Sequence, residues 1–232
     1  MSLVSKITEC IIIGGGSSIK EGLSLGLRDR LQGKFVIACN YAYKHFPHTF
    51  LAFLDRDFYK SRSETNNPDI YEELKQEPLI IGININGISE FKLDNTILLD
   101  KSERENLTGV FALKLAEKIM NSGTIFLLGF DWDRRTGLPE RDPNYSPKTD
   151  LPLHYYDDIK HRGSGFIGYY ENHRADKEFT KLIKKDVKIF NVSLQSNITC
   201  FEKISYEHMF TLLNEEKYNQ NELRLYFRNY FA

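Results

Sequence analysis

The chain has 232 residues, enough for one large domain or a smaller domain with an elaborated loop. Lys and Arg total 31 against 32 for Asp and Glu, so the net charge of −1 creates no global field that would attract nucleic acid or anionic lipid. The longest apolar runs hold five residues, whereas a membrane-spanning helix needs roughly 20.

The N-terminus lacks the apolar stretch of a signal peptide, and the three cysteines are too few and too scattered for a disulfide framework. Two of them lie in strand-like apolar runs, which predicts buried, reduced thiols. We therefore expect a globular, cytoplasmic protein without a transmembrane segment or a nucleic-acid partner. Whether it forms a homo-oligomer is open.

Five short apolar runs in the first hundred residues predict strands. They lack polar alternation, which is typical of parallel strands buried on both faces. The first strand is followed by the glycine turn, residues 14–18, and by a predicted helix from Ile19 to about Leu31. The five runs are Cys10–Ile13, Phe35–Asn40, Thr49–Asp55, Pro78–Gly82 and Thr96–Asp100.

The period of the apolar residues changes in the second half of the chain. A helix is predicted over 107–120 because Phe111, Leu115 and Ile119 form one i, i+4 row. A strand over 124–129, a helix over 172–185 and a strand over 187–192 follow, and 205–213 and 222–230 predict two C-terminal helices. Alternating strands and helices predict an α/β layered fold, built as one domain over 1–232 around a mostly parallel sheet.

Residues 131–171 interrupt this alternation. The segment has four of the seven prolines and five tyrosines without a clear period. A loop of this length within a compact domain is usually functional. We interpret it as a lid-like insertion over a ligand site.

Polar residues close several of the predicted strands, at the edge where parallel α/β sheets bind ligands. The glycine turn would let backbone N–H groups approach a phosphate or a ribose closely at a helix N-terminus. A tight turn without a ligand is the alternative. Ile19 breaks the dinucleotide fingerprint and no G-K-[ST] occurs, so hydride transfer and P-loop hydrolysis are disfavoured. The closing residues are Gly14, Gly15, Gly16, Ser17, Ser18, Asn40, Asp55, Asp100 and Asp131.

Three kinds of side chain could add chemistry at this edge. Asp55 and Asp57 form either a divalent-metal pair or a solvated turn. Asp131, at the exit of a buried strand, is the better candidate for accepting a ligand hydrogen bond. His173, beside Asn172 at a helix start, is either a general base or a surface histidine. The absence of G-x-S-x-G disfavours a serine hydrolase.

Several segments, taken in order, resemble a related pair of families. One contains the bacterial sialyltransferases of glycosyltransferase family 42. The other includes archaeal 6-hydroxymethylpterin diphosphokinase and the bacterial motility accessory factors. The resemblance spans roughly residues 10 to 200 and rests on Ile11–Ile19, Ala38–Asn40, Thr108–Leu113, Ile125–Asp131, Asn172–Asp176 and Val187–Asn191.

The resemblance implies a Rossmann-like three-layer fold that binds a nucleotide-activated donor. It implies a metal-independent transferase, sialyltransferase-like, that uses a CMP-sugar donor and a small-molecule or glycan acceptor and requires no cofactor. In that reading His173 deprotonates the acceptor. The nucleotide is bound by Gly14, Gly15, Gly16, Ser17, Asn40, Thr108, Gly109 and Asp131.

Two other functions fit the same residues. A pyrophosphokinase-like transferase would use ATP and Mg²⁺, bridged by Asp55, Asp57 or Asp131. A non-catalytic nucleotide-binding or assembly protein would keep the glycine turn and need no base. The histidines His154 and His161, within 131–171, compete with His173 for the role of base.

Overall fold

The computed structural model describes residues 7–54, 68–84, 93–131, 172–182 and 186–231, with the backbone alone at 68–71 and 172–175. Eight short strands lie in these ranges, most of them apolar and buried because neighbouring layers cover both faces. The strands are β1 Glu9–Ile13, β2 Val36–Cys39, β3 Phe50–Ala52, β4 Ile80–Ile83, β5 Thr96–Leu99, β6 Gly123–Leu128, β7 Val187–Asn191 and β8 Glu202–Lys203.

The eight strands form one sheet in the order β5-β4-β3-β2-β1-β6-β7-β8, and every neighbouring pair is parallel. The chain builds outward from β1 to β5, then returns to the other side of β1 and builds outward again. The predicted α/β Rossmann-like fold with a parallel sheet is thus confirmed. Its topological switch point lies between β1 and β6, where such folds bind ligands.

Helices cover both faces of the sheet. The helices are α1 Ile19–Ser24, α2 Leu27–Arg30, α3 Pro68–Gln76, α4 Thr108–Ile119, α5 Asn172–Thr180, α6 Tyr206–Leu212 and α7 Gln220–Phe231. One core cluster joins α4, α5 and α7 to the side chains of Cys10 and Ile12. The other joins α1, α2, α3 and α6 to Ile11 and Ile13, because successive residues of a strand point to opposite faces.

Local structure departs from the sequence-based expectation in three places. The single helix predicted over 19–31 is split, because Gly26 adopts φ +79° between α1 and α2. The helix α5 is described to Thr180 instead of 185, and residues 183–185 lie outside the described part of the chain. The helix α3 and the two-residue strand β8 were not predicted, although Ile70 and Leu74 of α3 have the i, i+4 spacing of an amphipathic helix.

The C-terminal helices, predicted over 205–232, are fastened across the amino edge of the sheet. Lys34 lies 3.1 Å from Glu9 in a buried ion pair and also donates to the backbone carbonyl of Asn214. Arg224 donates to the backbone carbonyl of Thr49 at 3.1 Å and to that of His48 at 2.8 Å. Because α6 and α7 pack on opposite faces of the sheet, these bonds connect the two helix layers at its amino edge.

Two expectations from composition can be compared with the structure. Cys10 and Cys39 are buried free thiols, as predicted, and burial raises the pKa of Cys39 to about 12. Within the described ranges, no helix combines the length and apolar character that crossing a membrane requires.

Candidate functional site

A cleft of about 510 Å³ opens at the carboxyl edge of the sheet, beside the switch point. It is bordered by the end of the glycine turn, the start of α1, the exit of β6 and the loop after β7. This is where a doubly wound sheet leaves a crevice between diverging connections. The described lining residues of this switch-point cleft are Ser17, Ser18, Glu21, Asp131, Ser193, Leu194 and Gln195.

Asp131 is the centre of the cleft's hydrogen bonding. Its Oδ2 accepts from the backbone N–H of Ser18 at 2.7 Å and from Ser17 Oγ at 3.5 Å. Its Oδ1 accepts from Ser18 Oγ at 2.5 Å. Asp131 is only 6% exposed, so the exit of β6 is tied to the glycine turn of β1 by a nearly buried carboxylate. A carboxylate offers about four acceptor sites, which leaves capacity for a ligand donor.

The backbone of the glycine turn is largely engaged within the fold. Gly14 N–H donates to the carbonyl of Leu128 at 2.7 Å, and Gly16 N–H donates to that of Gly129 at 2.8 Å. A Cβ atom on Gly16 would lie 2.5 Å from Asp131 Oδ2, so only glycine fits there. The amides of Gly14 and Gly16 therefore hold β1 to β6, and Gly15 lies half-buried between them.

The start of α4 reaches the same edge. Thr108, its first residue, is buried, and a Cβ atom on Gly109 would lie 2.4 Å from the ring of Phe130. Because Phe130 precedes Asp131, the two predicted residues of α4 lie next to the exit of β6. Neither lines the cleft as described.

Asn40 lies at the carboxyl end of β2, the neighbour of β1. It begins a short 3-10 helix, Asn40–Lys44, with φ +49°, a left-handed conformation that asparagine tolerates better than most residues. Asn40 is half-buried and is not among the described lining residues. Its predicted nucleotide contact stays a prediction.

The helix that carries His173 is anchored beside the exit of β6. Phe179 packs against Phe130 with ring centroids 5.9 Å apart, and Asp176 accepts from the backbone N–H of Thr199 at 2.9 Å. His173 lies six residues before Phe179, about 9 Å along the helix at 1.5 Å per residue. Because α5 runs back from the carboxyl edge to the start of β7, its first turn lies beyond that edge. The side chain of His173 is not described.

Other predicted candidates lie outside the described residues or away from the cleft. Asp55, Asp57, His154, His161 and the rest of the lid-like insertion after Asp131 are outside the described ranges. Asp100 ends the edge strand β5, four strands from β1. Its carboxylate accepts from Ser102 N–H at 2.9 Å, which lowers its pKa and makes it a cap of the following 3-10 turn.

The β7-exit loop, residues 193–197, and Glu21 of α1 are the parts of the cleft that sequence reasoning missed. Ser193, Leu194 and Gln195 line the cleft. The predicted strand over 187–192 carried part of the signal, because residues that follow a parallel strand reach the ligand edge, but the position of this strand next to β6 is visible only in the fold. The fold brings this loop to Asp131 because β7 is the neighbour of β6.

The ionisable residues lining the cleft are acidic. Glu21 is exposed and Asp131 is nearly buried, and the described lining contains no lysine, arginine or histidine. The remaining polar lining consists of hydroxyl groups and the Gln195 amide, which both donate and accept. Across the described ranges, no group of three histidine, cysteine or acidic residues could hold a metal ion. This lining suits an uncharged, hydrogen-bonding part of a ligand better than a bare phosphate.

Comparison with known proteins adds no closer assignment. A scan against family models, a search of curated proteins and a search of solved structures found no significant match to this chain. The chain has a Rossmann-like fold. The resemblance to the sialyltransferases and to the diphosphokinase family, and the roles it implies for single residues, stay predictions.

Proposed function

We propose that this protein is a transferase that binds a nucleotide-activated donor in the switch-point cleft. The observation that carries the proposal is the cleft itself. It lies where a doubly wound sheet binds ligands, and Asp131 stands at its centre with acceptor capacity to spare. The segments that resemble the sialyltransferases supply β1, its glycine turn, the start of α4 and the exit of β6, which the fold brings together.

The negative charge of the cleft favours binding of the nucleoside part of the donor by the described lining residues, rather than binding of its phosphate. Asp131 and Glu21 would repel a phosphate, whereas a carboxylate is a strong acceptor for a ribose hydroxyl or a base amine. The resemblance suggests a CMP-sugar as donor, which carries a single phosphate. A glycan or a small hydroxyl compound would be the acceptor.

His173 is the proposed general base. The start of α5 lies beyond the carboxyl edge of the sheet, the edge at which the cleft opens, and the proposal requires the acceptor to bind between the two. A neutral imidazole would take the proton of the acceptor hydroxyl as that oxygen attacks the donor. In this mechanism the nucleotide leaves with its phosphate.

The acidic lining favours one second candidate. Glu21 and Asp131 are the ligand type that Mg²⁺ prefers, so a pyrophosphokinase-like enzyme could bind the Mg²⁺ complex of ATP here. Such a reaction transfers a diphosphate and depends on the metal. The two functions therefore differ in which nucleotide binds and in whether Mg²⁺ is needed.

Thermal unfolding with CMP, CDP, UDP, GDP and ATP, with and without Mg²⁺, tests the proposal. A ligand that binds only the native state raises the melting temperature. We expect CMP to stabilise the protein without Mg²⁺, and release of CMP from a CMP-sugar to follow acceptor addition. Stabilisation by ATP only with Mg²⁺ would favour the pyrophosphokinase. Binding without any transfer would favour a non-catalytic nucleotide-binding protein.

A further inference from the structure

A buried polar network fixes the β7-exit loop to the exit of β6. Ser196 Oγ donates to the carbonyl of Phe130 at 2.7 Å, and Asn191 Nδ2 donates to the same carbonyl at 3.0 Å. Asn197 N–H donates to the carbonyl of Asp131 at 2.8 Å. Asn191 is fully buried and Ser196 is 3% exposed. The loop and Asp131 are therefore held in one fixed arrangement.

This network is not explained by stability alone. Asn191 Oδ1 is buried and has no hydrogen-bond partner in the described part of the chain. A buried acceptor without a partner is unfavourable, and an apolar side chain of similar size would avoid that cost. What asparagine contributes is its amide N–H group, which holds Phe130 and Ser196. The Asn191 amide therefore fixes the position of the β7-exit loop.

The fixed loop presents an apolar side chain to an otherwise polar cleft. Leu194 is 59% exposed, although Ser193 before it and Ser196 two residues after it are buried. Gln195, the next residue, is exposed and also lines the cleft. A planar ligand group could pack its face against Leu194 and form hydrogen bonds to the Gln195 amide with its edge. A nucleobase has both, whereas a phosphate or a sugar hydroxyl gains nothing from leucine.

We propose that Leu194 and Gln195 form the nucleobase contact of the switch-point cleft, with Asn191 and Ser196 as the residues that position it. The base lies with its face against Leu194 and its edge toward the Gln195 amide, and the ribose lies toward Asp131. This inference rests on the proposed function, because it requires that the cleft bind a nucleotide.

Calorimetry with CMP, UMP and ribose 5-phosphate tests the contact, because the sugar phosphate lacks only the base. We expect Leu194→Ala to weaken CMP binding about 5–15-fold and to leave ribose 5-phosphate binding unchanged. Leu225→Ala is the matched control, since Leu225 is 61% exposed on α7 and does not line the cleft. Leu194→Met keeps a large apolar side chain and should bind CMP more tightly than Leu194→Ala. Gln195→Leu should reduce the difference in affinity between CMP and UMP.

The positioning residues need a readout that a purely structural role would not change. Ser196→Ala should weaken CMP more than ribose 5-phosphate, and Ser196→Thr, which keeps the hydroxyl, should restore the difference. A lower melting temperature with the CMP preference intact would overturn the positioning role.

Equal losses for CMP and ribose 5-phosphate in Leu194→Ala would overturn the base contact and leave the proposed function standing. The same would follow if Leu225→Ala behaved like Leu194→Ala. If no nucleotide bound the wild-type protein, the proposed function would fail and the base contact with it.

Discussion

Replacing Asp131 by asparagine removes the negative charge at the centre of the switch-point cleft and preserves the shape of the side chain. In the native protein, two strong hydrogen bonds reach the carboxylate from Ser18, at 2.7 Å from its N–H and 2.5 Å from its Oγ. The third, from Ser17 Oγ at 3.5 Å, is too long to contribute much. The substitution therefore acts on one ligand contact and on two bonds within the fold.

The expected cost to stability follows from those two bonds. Hydrogen bonds to charged groups contribute about 1.5–3 kcal/mol each. In Asp131→Asn the amide oxygen still accepts from the N–H of Ser18, and the hydroxyl of Ser18 rotates to accept from the new NH₂ group. We expect the free energy of unfolding to fall by about 1–2 kcal/mol. Asp131→Ala loses both bonds and should cost about 2–4 kcal/mol, since water replaces part of them at this cleft edge.

The expected cost to binding is separate. Asparagine still accepts a ligand hydrogen bond but without the charge, so we expect nucleotide affinity to fall by about 1–3 kcal/mol, or roughly 5–150-fold. Urea unfolding measures the first effect and calorimetry with CMP measures the second. Ser18→Ala is the control, because it removes one bond to Asp131 and leaves its charge.

Two results would refute the reasoning. If Asp131→Asn and Asp131→Ala unfolded at the wild-type urea concentration, the carboxylate would not join β1 to β6 energetically. If CMP affinity were unchanged while stability fell, Asp131 would be a structural residue only. An affinity loss seen only with Mg²⁺ would favour the pyrophosphokinase over the glycosyltransferase.

Four further predictions follow from other parts of the molecule. Gly16→Ala should lower stability by about 1–3 kcal/mol, because its Cβ meets the β6 exit; a wild-type urea midpoint would contradict this packing. His173→Ala should bind CMP normally and lower the transfer rate about 10²–10⁴-fold, whereas full activity would exclude it as the base. Arg224→Ala should lower the free energy of unfolding by about 1–3 kcal/mol, because it removes the hydrogen bonds from α7 to the carbonyls of His48 and Thr49. The control Arg228→Ala, at an exposed position, should lower it by less than about 0.5 kcal/mol, and equal urea midpoints for the two variants would contradict this role of Arg224. Burial raises the pKa of the Cys39 thiol to about 12, so it should stay protonated and unreactive toward a disulfide reagent at pH 8 until the protein unfolds, and rapid labelling of native protein would show an open core.

The sequence by itself determined the fold class and most of the elements. Uninterrupted apolar runs such as Cys10–Ile13 and Phe35–Cys39 are typical of strands covered on both faces, and their alternation with helices predicted a parallel sheet between helix layers. The i, i+4 row of Phe111 and Leu115 specified α4 within one residue at each end. The break at Gly26 was not predicted, because glycine within a helical pattern does not by itself show which backbone conformation it adopts.

The candidate site was predictable in part. The rule that ligands lie beyond the strand ends pointed to the glycine turn and to Asp131, because both follow predicted buried strands. It also pointed to Asp100, which the strand order places on the far edge of the sheet. The order of the strands depends on how the helices pack in the folded protein. The apolar period of a segment does not show which strands will lie beside it in the sheet.

Only the tertiary structure decided which ends meet. Placing β6 beside β1 brings Asp131 to Ser18 across 113 residues, and placing β7 beside β6 brings Leu194 to the same cleft. It also showed that Gly16 is glycine because a carboxylate lies where its Cβ would be. These contacts join segments far apart in the chain, so they depend on the closure of the whole sheet, and no local pattern of residues specifies them.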